Sequence, residues 1–338
     1  MNKILIFLFS LITGCLLLTS CSDWTDDESV KIKQPTNPNY SKYLENLRAY
    51  KKSDHKVVYA WFDNSEKVPY SRGQHISDIP DSVDVVVVMY PDVLADFEVK
   101  EIGALQKDKG TKVLYTISYD VIKKAYEQMV KNETDKDPAY EVPLFLDYLS
   151  KNVEELLALS SKYSYDGIIV GYKGQSTVYM TTDEKKEYLA NQNAFLTKIK
   201  TWYTDNSTKI LVYEGSPQFL SDKSLLASCE HIILNTLGVA SAVELSVRTL
   251  EAMVEDVPSD RFIVVASTTS LDIADKKTGY YGEDRALIEA AYWVTEAGNN
   301  YTKAGLGIYN IQNDYYNISQ VYQYAKKSIN IMNPTPTN

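Results

Sequence analysis

Acidic side chains that could serve acid–base chemistry lie next to the ends of short apolar segments. They are Asp63, Asp92, Asp120, Glu214, Asp272 and Asp314. Two carboxyl groups can hydrolyse a glycosidic bond when they lie about 5 Å apart, in retaining enzymes, or about 6.5–9.5 Å apart, in inverting ones. Glu214 directly follows Val212 and Tyr213 and is the best candidate for such an acid. The same carboxylates could instead bind hydroxyl groups or face water.

Aromatic and planar polar side chains occupy similar positions. Aromatic rings offer flat apolar surfaces with a polar tip, which suits the C–H faces of sugars. The predicted ligand-binding residues are Trp61, Tyr90, Tyr119, Tyr172, Lys173, Tyr213, Glu214, Asn235, Tyr309, Gln312 and Asn313. Any single ring among them could instead pack in the core. The segment Thr278–Gly282, with glycines beside paired tyrosines, is either a binding loop or a turn.

Eight apolar segments predict the strands that position these residues. They cover residues 57–62, 83–90, 112–118, 167–172, 209–213, 232–235, 262–267 and 305–311. Most are continuous rather than alternating, which is typical of parallel strands buried on both faces. The segments between the strands have helical periodicity, which is clear over residues 182–203. Thr181, just before this segment, and Glu184, in its first turn, form a predicted capping box.

This alternation of strands and helices predicts an α/β fold, a single (β/α)8 TIM barrel over residues 53–332, followed by a tail over residues 333–338. No glycine-rich phosphate loop opens a helix, which disfavours a doubly wound nucleotide-binding sheet. In a TIM barrel the functional site lies at the C-terminal ends of the strands.

The fourth predicted strand carries a recognisable motif, Tyr165-Asp166-Gly167 followed by Ile168–Gly174. It resembles the fourth strand of glycoside hydrolase family 18, the chitinases and endo-β-N-acetylglucosaminidases, which reads Asp-Gly-x-Asp-x-Asp-x-Glu. In that family the glutamate protonates the glycosidic oxygen, and the nearer aspartate orients the substrate's acetamide group. Because successive side chains of a strand point to opposite faces, these three acids, two residues apart, all point into the barrel.

The resemblance places three non-acidic residues at the acid positions. They are Ile169, Gly171 and Lys173. A lysine, with an ordinary pKa of about 10.4, is a poor general acid near neutral pH. Asp166, at the start of the strand, is expected to have a structural role.

The resemblance extends to family 18 lipoproteins of Bacteroidetes glycan-utilisation loci. It implies a non-catalytic, cell-surface glycan-binding lipoprotein whose ligand is an N-glycan or a related oligosaccharide. The alternative is an active endo-β-N-acetylglucosaminidase-like hydrolase that uses displaced carboxylates, Glu214 foremost. A scaffold that binds other proteins is a third possibility. The implied partners are an oligosaccharide, an outer-membrane glycan importer and co-encoded glycosidases.

The N-terminal segment predicts export and anchoring. Residues 1–20 have the short positive start and apolar run of a signal peptide. Leu18-Thr19-Ser20-Cys21 resembles a lipobox, so Cys21 is the predicted lipidation site. Residues 21–52 then form a lipidated tether and a lead-in helix. The acidic residues after Cys21 resemble a signal for surface export, which implies a lipid-anchored protein of the outer membrane.

The remaining composition narrows the choice of ligand. The chain has 35 Lys and Arg against 45 Asp and Glu, an acidic balance that repels nucleic-acid phosphates. His55, His75 and His231 are widely spaced, so no metal site or cofactor is predicted. Cys229 is expected to be a small buried apolar residue.

Overall fold

A computed structural model describes residues 39–334. Its eight barrel strands are, in chain order, β1 Val57–Phe62, β2 Val85–Val88, β3 Lys112–Ser118, β4 Gly167–Tyr172, β5 Ile210–Gly215, β6 His231–Leu234, β7 Phe262–Ser267 and β8 Lys303–Tyr309. All neighbouring pairs are parallel, and β1 pairs with both β2 and β8. The predicted (β/α)8 barrel is therefore confirmed.

Helices cover the outside of this barrel. They are α1 Tyr40–Tyr50, α2 Asp96–Ala104, α3 Tyr119–Lys136, α4 Phe145–Lys162, α5 Thr182–Asp205, α6 Ala242–Ala252, α7 Ala286–Thr295 and α8 Gln323–Met332. The capping box of Thr181 and Glu184 opens α5 as predicted. None of the helices in residues 39–334 is long and apolar enough to cross a membrane.

Two apolar layers follow from the alternation of side chains along each strand. One fills the barrel and includes Tyr59, Trp61, Ile169 and Val212. The larger one lies between the strands and the surrounding helices. Strand parity therefore decides whether a side chain faces the barrel axis or the helices.

Local hydrogen bonds fix the strand starts. The Asp166 carboxylate accepts from the Val113 backbone N–H at 2.8 Å and from the Gln106 amide at 2.9 Å. These bonds tie β3 to β4 and confirm the structural role expected for Asp166. At the same end, the Asn333 side-chain amide accepts from the Lys56 N–H and donates to the Lys56 carbonyl, both at 2.8 Å.

A short hairpin separates β7 from α7. Tyr280–Tyr281 pairs antiparallel with Asp284–Arg285, and α7 begins directly after it, at Ala286. Gly282, at the turn, has φ +64°, which a glycine adopts without strain. The predicted signal peptide, Cys21, the tether up to residue 38 and the end of the tail lie outside the described residues.

Candidate functional site

The inward side of β4 lacks carboxylates. Ile169 is fully buried in the barrel interior. A Cβ atom built on Gly171 would lie 3.0 Å from the Thr116 Cγ2 atom and 3.2 Å from the Ser118 Cα atom. The space beside Gly171 is therefore closed by β3, and a longer side chain there would force its neighbours to move.

Glu214 is the acid next to this position. It is the register partner of Gly171, on the adjacent strand β5. Burial of its carboxylate raises the pKa of Glu214 to about 7, although the Thr116 hydroxyl and the Lys173 ammonium each act to lower it. At neutral pH this side chain is a mixture of acid and carboxylate, so it can donate or accept a hydrogen bond.

Lys173 follows β4, and its side chain is exposed. Its backbone N–H donates to the Asp120 carboxylate at 2.9 Å. Asp120, near the start of α3, thereby holds the first residue after β4 in place. The arrangement presents a cation at the mouth of the barrel, here meaning the C-terminal ends of the strands, within electrostatic range of Glu214.

An aromatic column runs along the barrel axis towards the mouth. The Tyr59 hydroxyl lies 2.9 Å from the His231 Nδ1 atom. Above it, the ring centroids of Tyr59 and Trp61 are 6.2 Å apart, and those of Trp61 and Tyr309 are 5.7 Å apart. Trp61 is only 3% exposed, whereas Tyr309 is partly exposed. Tyr309 is therefore the ring of this column that a ligand could reach.

Several predicted binding residues prove to be core. Tyr119, Tyr172 and Tyr213 are buried in the layer between strands and helices. Tyr119 and Tyr172 pack together with 5.0 Å between ring centroids, and the Tyr213 hydroxyl donates to the Tyr172 carbonyl at 2.8 Å. Strand parity turns Tyr172 and Tyr213 away from the axis, and Tyr119 already belongs to α3. Assigning these three tyrosines to the site was therefore wrong. Trp61 points inward but is covered.

The remaining predicted residues line the mouth. Tyr90 is 46% exposed, and its backbone is held by the buried amide of Asn64, which sequence reasoning missed. The Gln312 side chain accepts from the Asp63 N–H at 3.2 Å and so ties the loop after β8 to the loop after β1. Asn313 donates to the Thr269 carbonyl at 3.3 Å. The Asn235 side chain is exposed after β6.

The other candidate acids have local structural contacts. Asp63 accepts from the Ser65 N–H, and Asp272 accepts from the Ala274 N–H. Asp314 accepts from the Ala325 N–H at the start of α8. Asp92 lies in the exposed loop after β2. Within residues 39–334, Glu214 is the candidate acid whose strand position points it into the barrel.

The three histidines and Cys229 have different surroundings and form no common site within residues 39–334. His55 lies 3.0 Å from Asp84, and His75 lies 2.6 Å from Glu101. Burial lowers the pKa of His231 to about 4. Cys229 is buried, as expected. No group of three potential metal ligands occurs among the residues described, 39–334.

Comparison with known proteins settles the family. The sequence model described as glycoside hydrolase family 18, BT1044-like, matches residues 25–331. The chain belongs to glycoside hydrolase family 18. Asp166-Gly167 on β4 agrees with the start of the strand motif described above, and Ile169, Gly171 and Lys173 stand at the positions that this motif assigns to acids.

Solved structures agree with this family 18 barrel. A glutamate-to-glutamine variant of BT1044 superposes with a TM-score of 0.56 at 16% identity, over 88% of this chain and 94% of BT1044. The apo endo-β-N-acetylglucosaminidase from Cordyceps militaris gives a TM-score of 0.55 at 18% identity, over 87% and 96% of the two chains. A search of curated proteins gave no match.

Proposed function

We propose that this family 18 chain is a non-catalytic, cell-surface glycan-binding lipoprotein. The inward side of β4 supports this assignment, because Ile169, Gly171 and Lys173 stand where the family mechanism requires three acids. Without an aspartate to orient the acetamide group and a glutamate to protonate the leaving oxygen, substrate-assisted hydrolysis has no machinery on this strand.

The mouth offers groups suited to sugar binding. Tyr309 is a partly exposed ring supported from below by Trp61, and such a ring can pack on a sugar face. Lys173 donates hydrogen bonds, and Glu214 can donate or accept them near neutral pH. Together with Tyr90 they form a set of polar tips around an apolar platform. We propose an N-glycan or a related oligosaccharide as the ligand.

The proposed location follows from the N-terminal sequence. Cys21 would carry lipid and hold the barrel on the outer membrane, facing outwards. A glycan bound at the mouth would then be available to an outer-membrane importer and to co-encoded glycosidases, which are the proposed partners.

One observation favours the alternative, a hydrolase with a displaced acid. A pKa of about 7 is what a general acid needs near neutral pH. However, no carboxylate among the described residues contributes to that pKa, since burial, Thr116 and Lys173 account for it. Among residues 39–334, no acid therefore acts on the pKa of Glu214 as the second member of a carboxylate pair would.

Calorimetric titration of the purified chain with a high-mannose N-glycan tests both functions. Mass spectrometry of the same sample after overnight incubation shows whether the glycan is cleaved. Saturable heat with an intact glycan supports the binding function. Cleavage that disappears in Glu214→Gln, but not in the surface variant Glu155→Gln, would establish the hydrolase instead. If the titration gives no heat and the glycan is not cleaved, both functions are refuted.

A further inference from the structure

A recess beside the mouth is built around Arg285. It lies between the end of β7, the hairpin that follows it and the loop after β8. Its volume is about 190 Å³, partly open to solvent. The lining includes Ser267, Thr268, Thr269, Arg285, Asp314 and Tyr324. None of the mouth residues discussed above lines it, so it is a separate feature of the same face.

The guanidinium of Arg285 is held between two aromatic rings. It lies 4.5 Å from the ring centroid of Tyr280 and 4.6 Å from that of Tyr324. Tyr280 is the hairpin partner of Arg285, which fixes the first ring by strand register. Packing against two rings restricts the motion of the guanidinium.

The edge of this guanidinium remains available. No hydrogen bond or ion pair within residues 39–334 uses its N–H groups. With two rings packed against the group, the N–H edge is where a ligand would approach. A planar carboxylate fits that approach, since its two oxygens can accept two parallel N–H donors.

Two hydroxyls in the lining of the recess are not available to a ligand. Ser267 continues the inward positions of Ile263 and Val265 on β7 and is the register partner of Tyr309, so its buried hydroxyl faces the barrel axis. The Thr268 hydroxyl donates to the Asn310 carbonyl at 2.7 Å. Arg285 is therefore the group of the recess that a ligand would contact.

The acid in the recess is already engaged. Asp314 accepts from the Ala325 N–H at 2.8 Å. It forms no direct ion pair with Arg285 within the described residues, although the two charges interact at longer range. Arg285 is thus neither neutralised by contact with Asp314 nor used by any other described acid.

The backbone beside the recess is tightly packed. A Cβ atom on Gly279 would lie 2.6 Å from the Thr269 backbone nitrogen, and Gly279 has φ +82°. Only glycine permits this close approach of the hairpin to the end of β7. The hairpin and the strand therefore hold the recess in one shape before any ligand binds.

From these contacts we infer that the recess around Arg285 binds the carboxylate of an acidic sugar. Bidentate hydrogen bonds donated by the guanidinium edge would hold the carboxylate. The inference rests on the proposed glycan-binding function and adds to it a preference for acidic residues, such as a sialic or uronic acid at the end of a glycan chain.

Titration with monosaccharides tests the recess separately from the mouth. The probes are N-acetylneuraminic acid, glucuronic acid and the methyl ester of each. We expect saturable binding of at least one acid and, because the ester cannot form the charged bidentate contact, at least about tenfold weaker binding of its ester. Which acid binds distinguishes a sialic from a uronic acid ligand.

Variants assign the binding to Arg285. Arg285→Lys keeps the charge but loses the planar fork, and we expect at least about tenfold weaker binding of the acid. Arg248→Gln, on the exposed side of α6, is the matched control and should bind as the unaltered chain does.

The outcomes separate this inference from the proposed function. Equal binding of acid and ester, no binding of either acid, or binding of sulfate alone would overturn the acidic-sugar site, while the N-glycan titration could still succeed. Failure of the N-glycan titration with intact, Arg285-dependent binding of an acidic monosaccharide would overturn the mouth as the binding site and leave the recess standing.

Discussion

Glu214 on β5 stands directly beside Gly171 on β4, so the barrel has a carboxylate next to a strand position that has no side chain. The two residues are register partners. The glycine has no side chain to share the space, and a Cβ atom there would meet β3. The acid of β5 therefore occupies the barrel interior without a neighbouring acid on β4.

Restoring an acid at position 171 is expected to destabilise the fold. In Gly171→Asp, the new side chain would meet Thr116 and Ser118 at 3.0–3.2 Å from its first carbon and add a like charge beside Glu214. Overpacking of this kind costs about 1–3 kcal/mol. Chemical denaturation measures the loss. Gly103→Asp is the matched control, since nothing lies within 4 Å of a Cβ atom there, and it should change little. Equal stability of the two variants would show that the interior can relax.

Glu214 should make folding less favourable as the pH rises. Its pKa is raised in the folded chain from 4.5 to about 7. The unfolded chain therefore releases this proton first, and stability falls between about pH 4.5 and pH 7. The contribution is at most about 3 kcal/mol, reduced by partial exposure of the carboxylate.

Glu214→Gln measures that contribution. The variant should match the unaltered chain at pH 4.5 and exceed its stability at pH 8, by urea denaturation at both pH values. The pKa of Asp314 is also raised, to about 6, so Asp314 lowers the stability of both proteins as the pH rises. This contribution cancels when the stabilities of the two proteins are subtracted. Glu155→Gln, which changes an exposed side chain on α4, should show no pH-dependent difference in stability from the unaltered chain. A constant difference for Glu214→Gln at all pH values would contradict an ionisable, buried Glu214.

Tyr309 should dominate glycan affinity at the mouth. Removing its ring in Tyr309→Ala takes away the exposed end of the aromatic column above Trp61. An aromatic contact at the centre of an interface is worth about 1–2 kcal/mol, so calorimetry should show about tenfold weaker binding. Tyr292→Ala, whose ring is exposed on α7, should bind normally. Unchanged affinity in Tyr309→Ala would move the ligand away from the column.

The bonds between Asn333 and Lys56 should stabilise the barrel closure. Asn333→Ala removes one acceptor and one donor that serve the backbone before β1. We expect a loss of about 1–3 kcal/mol in the free energy of unfolding. Asn132→Ala, which removes an exposed amide on α3, is the control. A loss no larger than in the control would show that these bonds contribute nothing net.

The sequence was sufficient to predict the barrel because each strand is a distinct apolar segment. The bounds of β1, β3, β4 and β7 agree with the prediction. The sequence was insufficient to predict the site residues, because neighbouring residues at a strand end face opposite sides of the sheet. Once Ile169 and Gly171 are placed inward, Tyr172 must face the helices. The same parity puts Glu214 inside and Tyr213 outside, so this part of the error was avoidable.

The recess around Arg285 could not be predicted from the sequence. Its two tyrosines are 44 residues apart in the chain, and each ring reaches Arg285 through a different element. The tyrosine pair at 280–281 was noted, but the hairpin that sets Tyr280 opposite Arg285 depends on packing of Gly279 against β7. Such contacts arise from tertiary structure and leave no periodic signal.

The Asn333 amide holds the backbone just after α8 next to the backbone just before β1. Residue 333 follows the last helix and residue 56 precedes the first strand, yet one side chain bonds both backbone groups of Lys56. A short linker could therefore join these points, and new chain ends could be opened elsewhere in a circular permutant. The join lies at the face where the strands begin. The mouth at the other face would keep all its loops, whatever order the eight strands have along the permuted chain.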